Sequence, residues 1–410
     1  MPILHRTQTL SALMPRFVER FRCIGASCED TCCSGWTVHV DKKTYKAYRK
    51  ESVPALDRMM ANMTRLDNEA ANGAYAEIRA VGELQQCPAL QDGICSVQAN
   101  LGESYLSDVC HAYPRTNLSM DGMAEQSITL SCPEAARLAL LAEDAFEFVE
   151  APVQVRKTAI HEVGTRFGIA PALVAEARLF CMNLLRTREL TLWQRLALLG
   201  VFCESLSALC ARDAQADLPT LVQDFMRLVE NGELTATLDL IQPDYGAQAM
   251  VFATLWATKG FKADSPREQA MMEQIAARFG ADASGQVGAN ELVNAYRRGL
   301  GRLDTALAAT PWLLEHYLLN EVFSQIIPFN GSTPYDSYVQ LMARFGLLRL
   351  VLAVQCNNDG DLPPVSTLIA TVQLHCRRFQ HVPSYTKRVN NSLYESGWAE
   401  LSKLYTLLKT

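Results

Sequence analysis

The sequence predicts a mostly α protein: a multi-helix C-terminal region behind a small, irregular, cysteine-rich N-terminal region with a few short antiparallel strands. Three observations predict it. From about residue 135 onward apolar residues recur at helical spacing almost throughout. Before that point the alternating runs are short and are punctuated by Asp-Gly pairs. Eight of the 13 cysteines also fall within the first 132 residues. The division is placed near residue 140, with a metal-binding region over 1–140 and a helical domain over 141–410. No fixed-period repeat or low-complexity linker separates them.

The elements follow in order. Residues 1–22 read as a leader with a short helix around Met14–Phe21. Trp36, Val38 and Val40 alternate with Thr37 and His39 as a short strand, and 41–50 resumes a helical pattern. Asp92-Gly93 folds Cys87 toward Cys95, and Asp121-Gly122 marks a hairpin. Cys132-Pro133-Glu134 opens a helix, with proline at its first position. Farther on, Ser265-Pro-Arg-Glu268 is a capping box, Thr310-Pro311 and Thr333-Pro334 are starts, and Asn231-Gly232, Lys259-Gly260 and Gly280 are stops. The glycines of 280–288 follow a helix rather than a strand, so they read as an inter-helix loop and not a phosphate-binding turn; Gly299-Leu-Gly301 is equally weak.

Composition bounds the function. The 410 residues are 49% hydrophobic and 20% charged, the balance of a globular chain. A net charge of -6 argues against a nucleic-acid binder, which needs a basic face. The start of the chain lacks a signal-peptide pattern, and no uncharged apolar run reaches the roughly 20 residues of a membrane span. The nearest are 192–210 and 345–354, so a transmembrane segment is not expected, while peripheral membrane contact stays open. A cytoplasmic location follows as the expectation. In a reducing compartment, clustered cysteines are metal ligands or redox centres more often than disulfides.

The N-terminal cysteines are Cys23, Cys28, Cys32, Cys33, Cys87, Cys95, Cys110 and Cys132. They match neither a paired zinc-ribbon spacing nor a bacterial ferredoxin run. The three-cysteine loop of radical S-adenosylmethionine enzymes is also missing, since Gly35 stands where its third cysteine would fall. Eight thiols suffice for two four-coordinate sites, or for one site with spares. Spacing leaves zinc and iron both open. Cys181, Cys203, Cys210, Cys356 and Cys376 lie in apolar helical sequence and read as core.

Phe21-Arg-Cys23 through Cys28, Asp30-Thr-Cys32-Cys33-Ser-Gly-Trp36, Cys87-Pro-Ala-Leu, Gly93-Ile-Cys95, Cys110-His-Ala-Tyr-Pro-Arg115 and Leu130-Ser-Cys132-Pro-Glu134 together resemble the flagellin lysine-N-methylase family. Glu315-His-Tyr-Leu-Leu-Asn320-Glu-Val-Phe with Ile327-Pro-Phe329 resembles that family's C-terminal signature. The resemblance implies a protein lysine N-methyltransferase that uses S-adenosylmethionine on flagellin in the cytoplasm, and a 4Fe-4S cluster held by four of the N-terminal cysteines. The rival readings are a zinc- or cluster-stapled module that docks a protein partner, and a redox or metal-handling protein.

Methyl transfer to lysine needs a neutral amine, although the free side chain has a pKa of about 10.4. Desolvation or a nearby base supplies it. The displacement is polar, so the cluster has a structural or donor-binding role before a radical one. His111, Tyr113 and Arg115 are candidates for the surroundings of the cofactor, beside Cys110. Trp312, His316, Tyr317 and Asn320 are candidates for a substrate pocket; on pattern alone the same stripe reads as a solvated helix face. No catalytic base is legible.

Overall fold

The computed structural model describes residues 3–67, 74–83, 85–260, 263, 265–282, 285–358 and 360–410. Its strands are β1 (Gln8–Pro15), β2 (Val38–Val40), β3 (Met63–Arg65), β4 (Ala76–Ile78), β5 (Leu90–Gln91), β6 (Ile94–Cys95), β7 (Arg115–Met120), β8 (Met123–Ile128), β9 (Phe148–Val155) and β10 (Ile160–Val163). They form a five-stranded sheet in the order β10-β7-β8-β1-β9, a three-stranded sheet β2-β4-β3 and the β5–β6 pair. The rest of the regular structure is helical, and most of it lies after residue 165.

Both Asp-Gly turns form as expected. Asp92 and Gly93 have φ of 49° and 77°, the backbone of a two-residue hairpin turn, and pair Leu90 with Cys95. Asp121 and Gly122, at 52° and 78°, join β7 to β8 with Met120 opposite Met123. Val38 and Val40 are buried in β2 and His39 is exposed.

The beginning of the chain differs from the leader expected. Residues 8–15 are a strand, and only Arg16–Arg20 is helical. β1 pairs antiparallel with β9 from Gln8↔Val155 to Pro15↔Phe148, and parallel with β8 at Ala12↔Ala124. These partners lie more than 100 residues away, so local periodicity does not reveal them. β9 and β10 also interrupt what reads as continuous helix. The alternation is there in hindsight: Glu150, Pro152 and Gln154 are exposed between half-buried Val149, Ala151 and Val153. Pro152 is tolerated because β9 is an edge strand.

The helix starts fall where the caps predict. Ser265 accepts from the Glu268 N–H ahead of Pro266–Arg278, and Thr333 from the Asp336 N–H ahead of Pro334–Gln355. Thr310 does not cap; the helix there begins later, at Leu313, and ends at Ser324. Gly280 is left-handed, with φ of 82°, just beyond Pro266–Arg278; Ala283 and Ser284 of the loop that follows lie outside the described residues. Leu192–Ala211 and Pro334–Gln355 are long and apolar enough to cross a membrane, but 56% and 94% of their most apolar stretches are buried inside the fold. Pro334–Gln355 is the central helix of the C-terminal region, packed against Leu192–Ala211, Tyr245–Ala257, Ala289–Ala306 and Val365–Phe379 among others.

Gly299 has a packing role. It sits in helix Ala289–Ala306, where a Cβ would strike the Ala353 carbonyl of the central helix. Gly299→Ala is therefore expected to cost about 2–3 kcal/mol through overpacking. Gly301→Ala, two residues on and facing open space, should instead stabilise by up to about 1 kcal/mol. Denaturant melts of the two variants check both signs.

Two apolar cores result. The larger joins the helices to Ala12, Met14, Phe17, Leu118 and Ile128, so residues on both sides of position 140 contribute to it. The smaller is built from residues 38–106, including Val40, Tyr48, Met59 and Ile78, with Cys33, Cys95 and Cys110 packed against it.

Candidate metal centre and adjoining pocket

Five of the eight N-terminal thiols line one cavity of about 70 Å³: Cys32, Cys33, Cys87, Cys95 and Cys110. Three local devices bring them there. The Cys32–Gly35 loop is zipped to residues 85–87 by Cys87 N–H to Cys33 O (2.7 Å) and Gly35 N–H to Gln85 O (2.9 Å). The β5–β6 turn returns Cys95 toward Cys87. The short helix Asp108–Ala112 aims Cys110 from the far side. Tyr48 closes the apolar wall, its hydroxyl donating to Tyr105 O at 2.7 Å.

Cys23, Cys28 and Cys132 form a second thiol neighbourhood, in which Cys23 and Cys28 act electrostatically on Cys132. The sequence divided eight cysteines into two sets of four or one set with spares; the structure groups them as five and three.

Backbone N–H groups point at several sulfurs. Cys87 meets Ala89, Cys95 meets Val97 and Gln98 at a helix N-terminus, Cys28 meets Asp30, and Cys132 meets Glu134 and Ala135 at another helix N-terminus. Such donors favour thiolate. Burial works against them and prevails, pushing Cys110 and Cys132 each up to about 12. In the adjacent pair the Cys33 thiol donates to the Cys32 sulfur. That bond pulls Cys32 down to about 7 and pushes Cys33 far up.

The chemistry of the donor set suits a soft, thiophilic group, because no carboxylate or imidazole is among the described residues lining the cavity. Among the described residues no three His, Cys, Asp or Glu side chains converge as ligands of one ion. Zinc and iron–sulfur clusters both take such thiolate ligands.

A second cavity, of about 180 Å³, shares Cys32, Trp36 and Tyr113 with the first. Ser131, Arg377 and His381 complete its polar side. Trp36 and Tyr113 lie 5.9 Å apart between ring centroids, and the Trp36 Nε1–H donates to Cys32 O at 2.7 Å. Ser131 Oγ is 3.1 Å from the Tyr113 hydroxyl and 3.0 Å from His381 Nε2. Arg377 pairs with Asp30 at 3.0 Å and donates to Thr31 O at 2.6 Å and to Ser34. Gln373 donates to Asp30 at 3.0 Å and to Ser131 O at 2.9 Å. Helix Val365–Phe379 thus holds the cysteine loop in place.

The FliB lysine N-methylase C-terminal domain family matches residues 178–407, more than half of the chain. The chain belongs to this family. It is 25% identical over 369 residues to the lysine-N-methylase of Salmonella choleraesuis (strain SC-B67), covering 85% of this chain and 86% of that protein. The lysine-N-methylase of Salmonella typhimurium (strain LT2) is 24% identical over the same coverage. The flagellar biosynthetic protein FliU of Salmonella muenchen is 35% identical over 137 residues, which span 33% of this chain and 80% of that protein. No solved structure matches.

For this lysine N-methylase family member, the residues singled out from sequence fall in three places. Tyr113 lies between the two cavities, its phenol pushed well up by burial. His111 and Arg115 line a different groove beside the five-stranded sheet. There His111 is 3.5 Å from Glu103 and lowered chiefly by burial, and Arg115 stacks over Phe21 at 5.0 Å. The structure therefore separates Tyr113 from its two neighbours.

Trp312, His316, Tyr317 and Asn320 line neither cysteine cavity. His316, Tyr317 and Asn320 are buried and Trp312 is half-buried, so the stripe is not a solvated face. His316 Nδ1–H donates to Ala139 O at 2.8 Å and Trp312 Nε1–H to Leu140 O at 3.1 Å, tying this helix to Pro133–Leu141. Burial lowers His316 to about 4, which keeps it neutral. The Tyr317 hydroxyl and both ends of the Asn320 amide are buried without a hydrogen-bond partner among the described residues. Sequence reasoning missed Ser131, Arg377 and His381. Ser131 falls inside the Leu130–Glu134 segment but was read only for its cysteine, Arg377 and His381 carry no motif, and 250 residues separate Ser131 from His381.

Proposed function

We propose that this protein transfers methyl groups from S-adenosylmethionine to lysine ε-amines of flagellin, in the cytoplasm, and carries an iron–sulfur cluster held by cysteines of the Cys32, Cys33, Cys87, Cys95 and Cys110 set. One observation carries the reading: in a chain of the lysine N-methylase family, a cavity walled by five thiols adjoins a small aromatic and polar pocket. Cys87, Cys95 and Cys110, with one of the adjacent Cys32 and Cys33, are the ligands, since a four-iron cluster takes one thiolate at each iron. Bound there, the cluster would supply a rigid centre that fixes the Cys32–Trp36 loop. Flagellin as substrate draws support from the flagellar name of one relative.

The test is methyl transfer by protein purified without oxygen. With S-adenosylmethionine and flagellin, lysines of flagellin are expected to gain the mass of one or more methyl groups only when this protein is present. Flagellin left unmodified by iron-loaded protein overturns the reading. Zinc as the bound metal would leave the transferase reading standing and remove the cluster.

A further inference from the structure

We propose that the pocket between Trp36, Tyr113, Ser131 and His381 receives the side chain of the target lysine, and that His381 takes the proton from its ammonium. The inference deepens the methyltransferase reading and rests on it.

Four observations select a lysine side chain as the occupant. The first is size. At about 180 Å³ the pocket is smaller than the roughly 300–1,000 Å³ of cavities that take drug-sized ligands, so it suits one extended side chain and not a whole nucleoside. The second is its wall. Trp36 and Tyr113 offer aromatic surface for an alkyl chain and ring faces for the methylated ammonium that forms. The third is Arg377. Its guanidinium already engages Asp30, Thr31 and Ser34, so it is a poor site for the carboxylate of a donor. Its charge still reaches the pocket and favours the neutral amine over the ammonium.

The fourth is the geometry of the acceptor. His381 lines the pocket and keeps part of its surface in contact with water, to which a proton can leave. Ser131 Oγ, 3.0 Å from His381 Nε2, orients the ring at the edge of the pocket. The Tyr113 hydroxyl lies 3.1 Å from the same Ser131 oxygen and holds that arrangement from the other side. This is the base-and-orienter pairing of general-base sites. Burial and Arg377 both lower the His381 pKa, so the imidazole rests in its neutral, unprotonated form.

The step balances. The ε-ammonium gives one proton to the His381 imidazole and becomes a neutral amine. The nitrogen lone pair attacks the methyl carbon of the sulfonium donor. The N–CH₃ bond forms as the S–CH₃ bond breaks, and that electron pair stays on sulfur as a thioether. The products are a methylammonium, the thioether and a protonated imidazole, which releases its proton to solvent.

His381→Ala separates this role from a structural one. With S-adenosylmethionine and flagellin, kcat and kcat/KM are expected to fall together by about 100-fold or more, with iron content and melting temperature unchanged. Added imidazole should restore much of the lost rate, because it refills the space with the missing base. Ser131→Ala is the second variant and should lose about 10-fold through misorientation of the ring. Wild-type rates in His381→Ala, or a loss that imidazole does not restore, overturn the assignment of His381 while the methyltransferase reading stands. Wild-type protein that transfers no methyl group overturns both.

Discussion

Cys110→Ser is expected to strip the iron from the protein and abolish methyl transfer, whereas Cys203→Ser keeps both. Cys110 faces a cavity with four other thiols and is aimed there by a five-residue helix. Burial holds its free thiol up at about 12, so in the absence of a metal it stays neutral. A bound iron changes that balance, because coordination deprotonates a thiol outright. A serine hydroxyl is far harder to deprotonate and a far poorer ligand for iron. Cys203 is fully buried in helix Leu192–Ala211, among apolar side chains of the large core. Its substitution changes packing and not ligation. Iron per chain and the thiolate-to-iron absorption of anaerobically purified variants are the measurements. Equal iron in Cys110→Ser and Cys203→Ser overturns the ligand assignment. Cys132→Ser adds a second reading of the same assay: Cys132 belongs with Cys23 and Cys28, so a partial loss there would mean that the second thiol group holds a centre of its own.

The contrast between these cysteines shows what was legible. Clustering in sequence separated the N-terminal set from the core set, and local turn chemistry explained how Cys87 and Cys95 approach, since an Asp-Gly hairpin needs only the residues it contains. Helix caps were legible for the same reason: Ser265 and Thr333 bond to residues three positions on. What escaped was non-local. β1 is a strand only because β8 and β9 flank it. The polar stripe on Leu313–Ser324 looked like a surface because periodicity sees one helix at a time. In the fold that helix is covered all round, and its His316 and Trp312 are joints to a neighbouring helix. Arg377 and His381 had no pattern to betray them, and Ser131 stood in a motif segment that drew notice only for Cys132. They meet because Val365–Phe379 packs over the start of Pro133–Leu141 and anchors Asp30 of the cysteine loop.

The joint between sheet and helices has an expected energetic signature of its own. Arg178, on helix Pro171–Arg186, donates to Glu125 of β8 and, at 3.3 Å, to Phe323 O. Its guanidinium also lies 4.8 Å from the centre of the Phe323 ring. Both charged side chains are almost wholly buried, at 5% and 6% exposure. Arg178→Met keeps an apolar stem of similar length but leaves the Glu125 carboxylate in a dry interface without its cation. The expected loss is about 3–5 kcal/mol, since breaking a buried pair from one side strands a charge. Replacing both partners, with Arg178→Met and Glu125→Leu together, should recover most of that loss, because the pair itself is worth little against a well-packed apolar substitute. Thermal melts of the two single variants and the double variant decide it. A double variant as unstable as Arg178→Met would mean that Arg178 acts through the Phe323 contacts and not through Glu125. The consequence reaches the pocket, because β7 and β8 lie directly between Tyr113 and Ser131 in the chain. A sheet that loosens from the helices moves both ends of the Tyr113–Ser131–His381 chain, so the Arg178→Met variant should lose methyl transfer at temperatures well below its own melting point.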